Sequence, residues 1–266
     1  MQETISLTFG DCGENHVGMK KIGTLVDKNL GFNLNDLNDY KYLFESLGGN
    51  CNIYNIKDSI NDTLTSEILE TIDDAYVMVV KNGLNLLLKN ESNIDNLLSE
   101  LNSFEWDKKY FDTRRNKVLN KRARSNVCFG DESIEPDYEN KIGRVVSYNQ
   151  IPSLNIIKNN ITKLLGNKCN NLICEGNRYF DLKKCGIGFH GDSERRKVIA
   201  FRIGHEMDLH YKWFYKGNHI GNPLKLTLNN GDMYIMSEKA VGNDWKKRNI
   251  YTLRHAAGIK NSKYLK

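Results

Sequence analysis

No apolar run in this sequence is long enough to cross a membrane: the longest, Ala75 to Val80, spans six residues and includes Tyr76. The N-terminus, MQETISLTFGDCGEN, carries acids where a secretory signal would carry lysines, and it lacks the continuous apolar stretch of such a signal. Both absences point to a cytoplasmic or nuclear protein with no membrane contact. Cys12, Cys51, Cys128, Cys169, Cys174 and Cys185 form no C-x-x-C pair, so they read as packed, reduced thiols. Cys169, Cys174 and Cys185 fall close together and leave zinc as a minor alternative. Internal repeats and low-complexity segments are also missing.

What is present suits a folded core: 39% of residues are hydrophobic and 10% aromatic. The charge is unevenly spread. Residues 1–88 hold six lysines against thirteen acids, a net of −7, so the other 178 residues carry +12 to reach the overall +5. Lys108 to Arg124 (KKYFDTRRNKVLNKRAR) concentrates eight basic residues against Asp112 alone. Such a stretch is either a solvated face or a track for a phosphate backbone, with Tyr110 and Phe111 as stacking partners.

Hydrophobic periodicity divides the chain at about residue 88. Residues 1–88 read as a small α/β domain: ISLTF, CNIYNI and AYVMVV are strand-like, while Asn15 to Asp27, Leu34 to Leu47 and Thr63 to Ile72 have helical spacing. No chemistry is evident in that part, which suits an accessory module with a protein partner. In residues 89–266, NIDNLLSELNSFEW and Ser153 to Leu165 are amphipathic helices. From Asn171 onward the pattern is β, in six short strands joined by Gly and Asn turns. The expected fold is α+β, a β-sandwich or barrel-like roll with helices packed outside and the small N-terminal domain attached.

Two motifs carry chemistry. His190 and Asp192 lie two residues apart on a strand or its edge, so an imidazole and a carboxylate face the same way and can meet one cation. Arg248, Thr252 and Arg254 likewise share one face of a strand, and guanidinium groups so placed can grip a small dicarboxylate.

In order, the chain presents a helix ending in Trp106, the basic stretch into Arg124 to Asp131, Asn177-Arg178-Tyr179, His190-x-Asp192, Gly231-Asp232 and finally Arg248-x5-Arg254. Over residues 94–258 this set resembles the AlkB-like branch of the Fe(II)/2-oxoglutarate dioxygenases. The resemblance implies a double-stranded β-helix (jelly-roll) core in a dioxygenase domain covering 89–266. It also implies Fe(II) on His190 and Asp192, and 2-oxoglutarate held by Asn177, Tyr179, Arg248 and Arg254. Ile250 stands where the family usually has a polar Asn.

The main departure is a missing histidine. The family places a second His between the Gly-Asp strand and the arginine strand, and MYIMSEKAVGNDWKK contains none. Asp244 occupies that interval and is a hard oxygen donor, so it is the expected third ligand. His255 is the next candidate, although it lies on the face opposite Arg254, where alternation would make it a packed or surface residue, and a site with no third protein ligand is a further alternative. His205, His210 and His219 would need a rearranged sheet.

By resemblance, the activity is oxidation of a C–H bond with dioxygen as 2-oxoglutarate becomes succinate and carbon dioxide, with demethylation of a DNA or RNA base as the expected outcome. Arg114, Arg115, Lys117, Lys121, Arg122 and Arg124 would contact phosphates, and Trp106, Tyr110, Phe111 and Tyr138 would stack on an extruded base. Two alternatives stand beside it: a catalytically degenerate nucleic-acid-binding or interaction protein, and a hydroxylase of proteins or small molecules.

Overall fold

Alternation of apolar side chains along the strands builds three layers. The computed structural model describes residues 2–258. In chain order it contains β1 (Thr4–Gly10), β2 (Cys12–Gly13), β3 (Ile22–Gly23), α1 (Leu34–Ser46), β4 (Asn50–Asn55), α2 (Ser66–Glu70), β5 (Tyr76–Lys81), α3 (Gly83–Leu88) and α4 (Ile94–Leu101). There follow β6 (Lys109–Asp112), β7 (Lys117–Asn120), β8 (Ser125–Gly130), β9 (Val145–Ser147), α5 (Pro152–Leu165), β10 (Ile173–Tyr179), β11 (Ile187–His190) and β12 (Val198–Gly204). The last elements are β13 (Met207–Tyr215), β14 (Asn218–Leu228), β15 (Met233–Met236), α6 (Glu238–Val241) and β16 (Thr252–Ala257).

An eight-stranded sheet runs β4-β5-β15-β12-β1-β10-β8-β9, and a four-stranded sheet runs β11-β16-β13-β14. The helices cover the outer face of the large sheet. There Ile5, Leu7 and Phe9 of β1 and Ile199, Phe201 and Ile203 of β12 meet Leu37 and Phe44 of α1 and Ile157 and Ile161 of α5. Local sequence sets these helices. Asn33 and Asp36 form a reciprocal capping box at the start of α1, and Pro152 opens α5, where its missing N–H is no loss.

The opposite parity of the same strands faces the small sheet. Val77, Val79, Val198, Ala200 and Tyr234 pack there on Leu209, Tyr211, Trp213 and Leu253. Each fully buried large side chain contributes about 1.5–3 kcal/mol, and this second core holds the two sheets together. No helix among the described residues is long and apolar enough to cross a membrane.

Residues 1–88 do not form a separate module. β1 lies in the middle of the large sheet, hydrogen-bonded to both β12 and β10, and β5 pairs with β15. The boundary expected near residue 88 followed changes in charge and in local hydrophobic pattern, which say nothing of which strands share hydrogen bonds. One local expectation also changes. Asn15 to Asp27 contains no helix, only β3, which pairs with the preceding β2, and most of the basic stretch forms the β6–β7 hairpin.

Candidate metal centre and its basic approach

β11 and β16 are neighbours in the small sheet, and His190 and His255 are directly opposed across them. Both side chains face the space between the sheets. Their Nε2 atoms lie 3.5 Å and 3.6 Å from Asp192 Oδ1. One ligand atom from each of His190, Asp192 and His255 falls within 4.8 Å of the others, making this the one such cluster among the described residues. Two imidazole nitrogens and one carboxylate form the donor set of a facial triad, which leaves coordination positions open.

The turn joining the first two ligands is tight. Gly191 is buried, and a Cβ there would run into the Gly242 carbonyl and come within 2.8 Å of the Trp245 Cβ. The Asp192 N–H donates to the Val241 carbonyl, 3.1 Å away, and ties the turn to the end of α6.

Electrostatics suit a cation. Gly188 O accepts from His190 Nδ1 at 2.8 Å, which leaves the Nε2 lone pair toward Asp192. A quarter of the His190 side chain is exposed, and the rest of the ring is packed among Gly188, Asp192 and His255. That burial, reinforced by His255, lowers it to about 4, so it is neutral and able to ligate at pH 7. Burial pushes the Asp192 carboxyl up, yet Arg195 and His255 outweigh it and hold the group below the usual carboxylate range. Arg195 Nε lies 3.5 Å from Asp192 Oδ2, while its Nη2 donates to Glu175 at 2.6 Å. Arg195 thus orients the carboxylate from behind, as outer partners of metal ligands do.

The third member of the cluster differs from expectation. Asp244 lies in the loop after α6, where its Oδ2 accepts from Lys239 Nζ at 2.8 Å. It does not join the cluster. Alternation correctly put His255 opposite Arg254, but pairing with β11 turns that face inward. His205, His210 and His219 stay outside, and the six cysteines are buried without forming a metal cluster among the described residues.

The expected arginine clamp is not assembled. Arg248 precedes β16 and donates to the Lys216 carbonyl at 3.0 Å on the surface. Arg254 is on the outer face of the small sheet, its guanidinium 4.0 Å from the Phe214 ring centre and 5.2 Å from that of Trp245. Asn177 and Tyr179 do point between the sheets, since both share the parity of Glu175 on β10. Asn177 Oδ1 accepts from Arg124 Nε at 2.6 Å and from Asn126 Nδ2, and its own amide donates to Glu175 at 3.1 Å.

The basic residues frame a cavity of about 620 Å³ between the β6–β7 hairpin and the segment leading into β8. Arg115, Lys117, Lys121, Arg122 and Arg124 line it with Tyr110 and His16. Tyr110 and His16 stack at 3.7 Å between ring centres. Arg114 is exposed in the hairpin turn and is not part of the lining. Arg124 links the cavity to the interior, bonding Asn177 and adding to the positive field on His190. Trp106 and Phe111 are not stacking platforms, being 6% and 7% exposed. Trp106 packs on Phe104 and donates from Nε1 to Leu101 O, and Phe111 points inward from the hairpin because alternation sends Tyr110 outward. Tyr138 is held by its hydroxyl on Asp107 at 2.7 Å.

Sequence reasoning missed Arg195, ranked His255 behind Asp244, and read His16 as a helix cap or packed residue. It also missed Arg202, a charged residue in the apolar strand KVIAFRIG, and that break in the strand's pattern was the available signal.

No family model matches the chain. The uncharacterized protein R156 of Acanthamoeba polyphaga mimivirus is 45% identical to it over 258 residues, 97% of this chain and 96% of the relative. The chain belongs to the family of that viral protein. The similarity spans the His190, Asp192 and His255 positions.

Proposed function

We propose that this protein is an Fe(II)- and 2-oxoglutarate-dependent dioxygenase of the AlkB-like kind, acting on a nucleic-acid base. The observation that carries this reading is the convergence of His190, Asp192 and His255 on one point. His255 also removes the chief argument for a degenerate site, which was the missing third ligand.

The order of strands fits a double-stranded β-helix. From β10 to β16 the chain passes between the large and small sheets, with β13 and β14 as the one consecutive pair in the same sheet. The next step of this alternation would return to the large sheet, and β1 fills the position between β12 and β10.

Bound to the triad, Fe(II) with 2-oxoglutarate and dioxygen supplies oxidation of a substrate C–H bond, one oxygen atom entering that bond as the keto acid becomes succinate and carbon dioxide. The chain's own residues do the rest. His190 offers a neutral nitrogen and His255 a second ring nitrogen, Arg195 keeps Asp192 ionised and fixed, and Gly191 keeps the two ligands of the turn close together. The basic cavity draws a phosphate backbone toward Arg124 and Asn177, while Tyr110 and His16 offer a stacked surface to a base. A second reading, a hydroxylase of proteins or small molecules, is favoured by the burial of Trp106 and Phe111, which removes two of the expected base-stacking residues.

The test is conversion of 2-oxoglutarate to succinate by the Fe(II)-loaded protein with single-stranded DNA or RNA carrying N-methylated bases. Formaldehyde release that is lost in His190→Ala supports the proposal. Succinate formed without any response to nucleic acid moves the reading to the second substrate class, and no turnover with any substrate overturns the enzyme.

A further inference from the structure

We propose that Arg202 of β12, rather than either arginine near β16, seats the distal carboxylate of the keto-acid co-substrate. This inference rests on the metal-centre reading above. It begins with strand parity. Ile199, Phe201 and Ile203 of β12 enter the helix-side core, and Val198 and Ala200 enter the core between the sheets. Arg202 shares the parity of Val198 and Ala200, so its side chain projects between the sheets.

The side chain is 1% exposed, and its Nε and Nη1 have no hydrogen-bond partner among the described residues. No carboxylate among them forms an ion pair with it. A buried guanidinium cannot readily lose its proton, so an unpaired one is among the costliest groups a fold can hold. The contrast with Arg195 is direct. That residue is equally enclosed but is matched by Glu175, Glu194 and Asp192.

Tyrosines surround Arg202. The Tyr234 ring centre is 5.9 Å from the guanidinium carbon. Tyr179 and Tyr211 are buried beside it, near enough for its charge to ease the ionisation that burial opposes at both hydroxyls. The Tyr211 hydroxyl is itself buried without a partner. Tyr211 is also the cross-strand partner of His255, with the rings 6.2 Å apart. Unpaired donors therefore extend from Arg202 by way of Tyr211 toward the metal ligands. A forked guanidinium and a neighbouring hydroxyl match the acceptors of a carboxylate. A short dicarboxylate with a keto acid at its other end has the chemistry to meet both the seat and the metal.

The experiment compares wild type, Arg202→Met and Arg202→Lys. Each is loaded with Co(II) without oxygen and titrated calorimetrically with 2-oxoglutarate and with pyruvate, which lacks the distal carboxylate. Equal Co(II) affinity in all three shows an intact metal centre. The expected result is 2-oxoglutarate binding weakened at least about tenfold in Arg202→Met, with Arg202→Lys intermediate and pyruvate affinity unchanged. Arg202→Met should melt no lower than wild type without ligand, because a buried unpaired charge has been removed. Unchanged 2-oxoglutarate affinity in both variants, with metal still bound, overturns the seat and leaves the metal centre standing. If wild type binds no metal, the reading above fails, and melting in EDTA with glutarate decides the seat. A stabilisation confined to wild type keeps it, and no stabilisation overturns it.

Discussion

His190 and His255 face each other across two paired strands, with ring centres 4.5 Å apart, so the second histidine of the cluster comes from the last strand described. Asp192 approaches both rings from the turn after β11. A metal bound there would cross-link β11, β16 and the turn that leans on α6.

Removing His255 should therefore abolish tight metal binding, while removing Asp244 should not. We expect His255→Ala to weaken Co(II) or Zn(II) by more than about 100-fold, beyond the effect usual for outer partners of ligands. Asp244→Ala should bind as wild type does. Equal loss in the two variants would return Asp244 to the ligand set. Competition titration against a chromogenic chelator makes the comparison.

Gly191→Ala should be disproportionately harmful for a single methyl group. The new Cβ meets the Gly242 carbonyl and the Trp245 side chain, so the turn must open. A loss of about 1–3 kcal/mol in urea unfolding is expected, together with weaker metal binding. Wild-type stability and metal affinity in this variant would show that the turn is looser than described.

The basic cavity makes a salt-dependent prediction. Lys117→Ala and Arg122→Ala should each weaken single-stranded DNA or RNA and lower the slope of log affinity against log salt by about 1. Tyr110→Ala should cost about 1–3 kcal/mol of binding with little change in slope. Trp106→Ala should instead destabilise the fold by about 3–5 kcal/mol, since its ring is in the core. Fluorescence anisotropy at several salt concentrations, with thermal melts, separates these cases.

Acid should destabilise the fold in part through His16. Burial against Tyr110 lowers this imidazole to about 4, against an ordinary value of about 6.5. The unfolded chain thus takes up the proton first, and stability falls as pH drops from about 6.5 toward 4, with no such effect above that window. His16→Gln should lose less melting temperature between pH 7 and pH 5 than wild type does. Parallel melting curves for the two proteins would show that His16 has no part in it.

A fragment of residues 89–266 should not fold. Without β1, strands β12 and β10 lose their shared partner, and without β5 the outer side of β15 is bare. Lys81 Nζ also donates to Asp232 at 2.7 Å, and the Asn82 N–H donates to the same carboxylate at 3.0 Å, so the N-terminal part is held at the start of β15 as well. A cooperative melt by this fragment would restore the two-domain division.

The sequence by itself determined most of the local elements and the first half of the candidate metal site. Apolar spacing located α1, α4, α5 and every strand from β10 onward except β11, and the two-residue interval of His190 and Asp192 placed a nitrogen and a carboxylate side by side. These are short-range consequences of backbone geometry, legible wherever neighbours in sequence are neighbours in space. Tertiary structure decided the rest. Alternation put His255 and Arg254 on opposite faces of one strand, but only the pairing of β16 with β11 made the His255 face the inner one. The same holds for Arg202, whose burial depends on the small sheet closing over it, and for residues 1–88, whose charge set them apart while hydrogen bonds made β1 a central strand. Strand partners distant in sequence are chosen by packing two faces at once, and no local pattern records that choice.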